Sequence, residues 1–181
     1  MFCNRTLNLR GVAAIGYDMD YTLVTYDVQR WEQRSFDHLR ALLADQGWPV
    51  DDVRFDSDFV IRGLVIDRRL GNIVKANRFG YVKQAAHGCR MMDFDETRRT
   101  YSRTIVDLAE DRWVFLNTLF AVSEASMYAH LVDCLDARRL PDVMGYADLH
   151  DRVSAALDQA HIEGNLKAEI VADPAAYVEL D

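Results

Sequence analysis

Ile15-Gly16-Tyr17-Asp18-Met19-Asp20-Tyr21-Thr22-Leu23 is the stretch on which the reading of this chain turns. The run that leads into it, Val12-Ala13-Ala14-Ile15-Gly16-Tyr17, is apolar and ends abruptly at Asp18, a texture that predicts a buried strand. If the backbone stays extended through this point, Asp18 and Asp20 project to one side and Met19 to the other. Two acids then crowd one spot at the carboxyl end of a buried strand, where α/β folds place their ligands. Like charges so close are costly unless a cation lies between them or one carboxyl keeps its proton. A hard divalent ion such as Mg²⁺ suits that all-oxygen donor set. Chemically, the pair offers a nucleophilic carboxylate beside a second carboxyl group that shuttles protons. A bare Asp-x-Asp is most often a solvated strand end; an apolar strand followed by Asp-x-Asp-x-Thr and a helix is a much narrower pattern.

Downstream the period becomes helical from about Gln29 to Gln46, with Phe36, Leu39, Leu42 and Leu43 on one face and Gly47 and Pro49 as the stop. Strand, loop and helix in that order open an α/β domain. Between about Val53 and Gln84 the texture is that of short strands. Phe59 to Ile66 is rich in β-branched and aromatic groups, and turns are expected at Leu70-Gly71-Asn72 and Asn77-Arg78-Phe79-Gly80. After the apolar run Trp113–Val122, Ser123 is expected to cap a helix reaching about Arg138, with Met127, Tyr128, Leu131, Val132 and Leu135 as its stripe. A further helix is expected from about Tyr146 to Ile162, with Leu149, Val153, Ala156, Leu157 and Ala160 inward and Gly164 as its stop. The tail from Leu166 to Asp181 shows no clear period.

The whole chain has 181 residues, 21 of them Lys or Arg and 29 Asp or Glu, for a formal charge of −8. Half of it is apolar, which excludes disorder as the dominant state. No charge-free stretch approaches the ~18 residues of a membrane span. The excess of acid argues against nucleic-acid binding. The opening residues, with Arg5 and Arg10 among polar groups, do not read as a secretory signal. Cys3, Cys89 and Cys134 are widely spaced and odd in number, the usage of a reduced, cytoplasmic protein. His38, His87, His130, His150 and His161 lack zinc-site spacing, and no glycine-rich phosphate loop occurs. His87 in its Gly-flanked turn reads as structural, Met127, Tyr128 and Leu131 as core, and Asp67-Arg68-Arg69 as a charge cluster at a hairpin tip. Glu96-Thr97-Arg98-Arg99 with Arg103 reads as a solvated helix face.

The segment Gly16-Tyr17-Asp18-Met19-Asp20-Tyr21-Thr22-Leu23 resembles the first motif of the haloacid dehalogenase superfamily, in the form found in the cytosolic purine 5′-nucleotidases specific for IMP and GMP. Further segments follow in the order of that family. They are Arg62-Gly63-Leu64-Val65-Ile66-Asp67, Gly71-Asn72-Ile73-Val74-Lys75, Ala86-His87-Gly88, Leu116-Asn117-Thr118-Leu119-Phe120 and His161-Ile162-Glu163-Gly164-Asn165-Leu166-Lys167. The resemblance implies an α/β fold with a Rossmann-like core, incomplete here, and an inserted α+β cap. Residues 1–55 would be the first strand–loop–helix of the core, 56–165 the cap and 166–181 the return toward the core.

By resemblance, Asp18 attacks phosphorus and binds Mg²⁺, while Asp20 acts as acid then base and ligates the metal through its carbonyl. Thr22 braces their loop, and Lys167 lies near the phosphate. Asn117, Phe120, Asp158 and His161 read the purine. The substrate implied is a purine nucleoside monophosphate. The chain departs from the family pattern at Ile162, where an aromatic residue is usual, and at Ser154, where an arginine is usual. It also stops before the family's later motifs. The expectation is therefore an N-terminal portion of a larger enzyme, inactive alone, whose partner would be the C-terminal remainder or a second copy. The alternative is a non-catalytic nucleotide-binding or interaction module.

Overall fold

The computed structural model describes residues 9–19, 21–118, 121–162 and 165–180. It is a mixed α/β structure in which one antiparallel sheet is flanked by helices on both faces. A short strand β1 (Val24–Tyr26) leads into helix α1 (Val28–Asp45). Asp27 caps that helix, its side chain accepting from the Arg30 amide at 3.0 Å. As the period predicts, Phe36, Leu39 and Leu43 are buried on one face of α1.

Strands β2 (Val65–Asp67), β3 (Asn72–Ala76), β4 (Val82–His87), β5 (Arg90–Met91) and β6 (Trp113–Phe115) form the five-stranded sheet in the order β5-β4-β3-β2-β6. Ile66 and Ile73 point to the larger core, while Val65, Val74 and Ala85 point to a smaller one with Tyr101 of helix α2 (Phe94–Tyr101). Both faces are covered, so β2 reads as an unbroken buried run rather than an alternating one. Of the expected strand over residues 59–66, only the end at Val65 and Ile66 is strand; Phe59 lies in a turn. The turns fall where expected, with Gly71 at φ +68° and Gly80 at φ +81°. A Cβ on Gly71 would lie 2.7 Å from Cδ1 of Tyr146, so the missing side chain is what lets that ring sit on the turn.

Helices α3 (Val122–Asp136) and α4 (Tyr146–Ile162) pack with α1 into the larger core through Met127, Tyr128, Leu131 and Val132 and through Leu149, Val153, Ala156 and Leu157. The expected cap of α3 is corrected by two residues. Ala121 occupies the cap without a side-chain bond, and Ser123 is inside the helix and fully buried. Helix α5 (Asn165–Ala172) and strand β7 (Val178–Leu180) give the tail the structure that its sequence did not announce. Glu169 of α5 receives both Nε (2.8 Å) and Nη2 (2.6 Å) of Arg34, and β7 pairs antiparallel with β1. The tail is thereby fastened to the segment that follows the acidic motif. Among the described residues, no helix is long and apolar enough to cross a membrane.

One polar system ties the sheet to the helices. Asp67, 0% exposed, accepts from Arg112 Nε (2.8 Å), Arg112 Nη2 (2.6 Å), the Tyr101 hydroxyl (2.9 Å) and the Arg69 amide (3.1 Å). Asn72 donates to the Tyr101 oxygen at 2.7 Å and accepts from His87 Nδ1 at 2.6 Å. His87 Nε2 meets Asp136 at 2.7 Å, and Tyr146 donates to the same carboxylate at 2.7 Å. The structural reading of His87 therefore fits; Asp67-Arg68-Arg69 does lie at the tip of the β2–β3 hairpin, with Asp67 buried there.

Candidate functional site

The apolar run before the acidic motif is not the strand that its composition predicts. Residues 12–19 have no regular structure, and Ile15, Tyr17 and Met19 are 66%, 71% and 56% exposed. A buried strand exists only where neighbours satisfy its amides and cover its side chains. Among the described residues, both sheets lie elsewhere in the chain and none pairs with this run.

Nor does the extended alternation continue past Asp18. The Met19 carbonyl accepts from the amides of Thr22 (3.3 Å), Leu23 (3.0 Å) and Val24 (3.1 Å), and the Tyr21 amide donates to Val24 O at 2.9 Å. Tyr21 sits at φ +57°, in the left-handed region that a side chain disfavours, and strain of this kind concentrates at functional loops. Asp18 is exposed beside the turn, its Oδ1 accepting the Met19 amide at 3.0 Å. Thr22 is exposed within the turn. Asp20 and Phe120 lie outside the described residues. The donors expected for a metal are all carboxylate or carbonyl oxygens, which suits Mg²⁺. Among the described residues, no three His, Cys, Asp or Glu side chains are grouped to hold an ion.

Of the residues expected to read a base, Asn117 is exposed on the link between β6 and α3. Asp158 and His161 are three residues apart on α4, the spacing that places two side chains on one helix face. The His161 Nδ1–H donates to the Leu157 carbonyl at 2.8 Å, which fixes that tautomer in the neutral ring. Lys167 is exposed on α5.

The structure adds a neighbour to this group that sequence reading missed. Glu124, in the first turn of α3, has its carboxyl pushed upward by burial and by the charge of Asp158, while Ser154 and His161 pull it back. Its Oε1 lies 3.7 Å from Nε2 of His150, which is 5% exposed. Across from it, Glu32 of α1 is 2% exposed, and its Oε2 receives the Ser123 amide at 2.5 Å. One signal for Glu32 was available. It stands four residues before Phe36 and seven before Leu39, an acid on the apolar stripe of α1.

Two other groups carry no chemistry of this kind. Cys89 Sγ lies 3.3 Å from His130 Nδ1, but burial pushes the thiol up to about 12, with Asp133 adding to it, which disfavours the reactive thiolate. Arg98, Arg99 and Arg103 are exposed and Glu96 pairs with Arg90, as the solvated-face reading expects, whereas Thr97 of that run is buried.

Burial pushes the Glu32 carboxyl up to about 7, with Glu124 adding to the rise and Ser123 opposing it. The folded state thus holds a proton that the unfolded state releases near 4.5. Its contribution to stability is complete below that value and is lost as pH rises to about 7. Glu32→Gln keeps the shape and does not titrate. The stability of the wild type relative to this variant is therefore expected to fall by roughly 3 kcal/mol between those limits. Urea unfolding of both proteins across the interval measures the difference; a constant difference would contradict it.

A model of the 5′ nucleotidase family matches residues 1–181. The chain belongs to that family. A 5′-nucleotidase domain-containing protein of Dictyostelium discoideum is 28% identical over 188 residues, spanning 98% of this chain and 31% of its own length. The human 5′-nucleotidase domain-containing protein 1 is 24% identical over 141 residues, spanning 71% of this chain and 31% of its own length. The chain thus covers 31% of each of these relatives.

Proposed function

We propose that this chain carries the nucleophile and base-reading segments of a Mg²⁺-dependent phosphohydrolase of purine nucleoside 5′-monophosphates, of the haloacid dehalogenase type. Residues 1–55 would belong to its core, 56–165 to the cap over the site and 166–181 to the return. Membership of the 5′-nucleotidase family supports the reaction class. The observation that carries the assignment is Asp18. Its carboxylate is exposed beside a strained turn, with one oxygen steadied by the Met19 amide and α1 anchored just behind it.

In this reading an Asp18 oxygen attacks phosphorus, the bond from phosphorus to the 5′ oxygen breaks, and Asp20 gives that oxygen its proton. Asp20 then takes a proton from water, which attacks phosphorus and releases inorganic phosphate with Asp18 regenerated. Asp18 and Asp20 would hold Mg²⁺, which supplies charge neutralisation around the phosphoryl oxygens. Asp158 accepts from purine N–H groups, and His161 with Phe120 stacks on the base. Lys167 offers the phosphate a fixed charge.

Release of phosphate from IMP and GMP, with and without Mg²⁺ or a chelator, tests the proposal alongside direct titration of both nucleotides. Phosphate release that chelation stops is the expected result for the catalytically complete protein. Nucleotide binding without turnover in that protein would instead favour a binding module, and neither binding nor turnover would overturn the reading.

A further inference from the structure

We propose that Glu32 is a positioning residue, a clamp from α1 that fixes the first turn of α3 and so sets Glu124 beside Ser154, Asp158 and His161. The inference rests on the reading that Asp158 and His161 face the base of a nucleotide.

The residue at the cap of α3, Ala121, makes no side-chain bond to the first turn of that helix. The first amides of any helix have no partner within it, and the helix dipole favours negative charge there. Glu32 supplies the missing acceptor from a different helix, accepting the Ser123 N–H at 2.5 Å. Ser123 is 0% exposed, so no bulk solvent replaces this acceptor if it is removed. The next residue is Glu124, whose Oε1 lies 3.7 Å from Nε2 of His150 on α4 and whose carboxyl also feels Ser154, Asp158 and His161 of that helix. One hydrogen bond therefore ties the helix that follows the acidic turn to α3, the helix packed against the one that carries Asp158 and His161. Glu32 also lines a cavity of about 200 Å³ with Gln29, Asp58, Arg62 and Val122, the last being the first residue of α3.

The test compares the wild-type chain with Glu32→Ala, Glu32→Gln and Ser123→Pro. Glutamine keeps an acceptor oxygen for the Ser123 amide. Proline at Ser123 removes the donor at a helix position where an N–H has no intrahelical partner, which keeps the test open should alanine at the buried site prevent folding. Hydrogen exchange is followed in residues 121–125 and 154–161, and affinity is measured for GMP and for inorganic phosphate. Glu32→Ala and Ser123→Pro should speed exchange in both segments by about tenfold and weaken GMP about tenfold, with phosphate affinity unchanged. At pH 4.5, below the interval in which the two proteins diverge in stability, Glu32→Gln should stay within about twofold of wild type in all three readouts.

Unchanged exchange in both disrupting variants would overturn the clamp. Faster exchange with unaltered GMP affinity would overturn its role in positioning, as would equal losses for GMP and phosphate. A wild-type chain that binds no GMP would remove the base-reading assignment, while the exchange pattern would still decide whether Glu32 sets the contact between α3 and α4.

Discussion

Replacing Asp18 by asparagine is expected to lower phosphate release from a purine nucleoside monophosphate by at least about a thousandfold in any form of the protein that turns over. Asparagine has nearly the shape of aspartate and keeps an oxygen for the Met19 amide, so the bond of 3.0 Å that steadies the side chain has a successor. What disappears is the negative charge and, with it, the nucleophile. Nucleotide binding should survive, because the residues expected to touch the base lie on α4 and on the link before α3. The measurement is single-turnover phosphate release, with acid quenching to trap a phosphorylated carboxylate. The wild type should accumulate that species and the variant should not. Turnover within tenfold of wild type would remove Asp18 from the role of nucleophile, whatever the fate of the other assignments.

How much of this was legible in the sequence depends on what each element needs from elsewhere. Helices α1 and α4 were readable almost to the residue, because the stripes Phe36-Leu39-Leu43 and Leu149-Val153-Leu157 state both their period and the face they bury. The hairpin turns were readable because Gly71 and Gly80 supply a backbone conformation that other residues resist. The run at 12–17 was misread because a strand is defined by its neighbours, and apolar composition does not say whether neighbours are present.

Polar residues inside the core failed for a related reason. Asp67 sits in Ile-Asp-Arg-Arg-Leu-Gly, the composition of a solvated turn, and only the return of Arg112 beside it makes its burial tolerable. At the site, Asp158 and His161 share a helix face as their spacing says, yet Glu124 approaches the same helix from α3, 3.7 Å from His150 Nε2, a proximity that no local pattern encodes.

Removing Arg112 should be the most destabilising single change to the polar system. The Asp67 carboxylate is 0% exposed and holds two of its four hydrogen bonds with that one guanidinium, at 2.8 and 2.6 Å. Arg112→Met keeps much of the stem that passes over the Trp113 ring, where the guanidinium carbon lies 4.3 Å from the centroid, but deletes the charge. An uncompensated buried carboxylate is expected to cost about 3–5 kcal/mol, read as a shift in the midpoint of urea unfolding. The Tyr101 hydroxyl and the Arg69 amide remain, and as neutral donors they stabilise an ion less than a bidentate cation does. The double variant Asp67→Asn with Arg112→Met should recover part of the loss, since the charge that lacked a partner is gone as well. If Arg112→Met alone cost less than about 1 kcal/mol, the pair would be energetically equivalent to an exposed salt bridge. The fastening of the sheet to α2 would then rest on Tyr101, Val74 and Trp113 packing together and not on the buried ion pair.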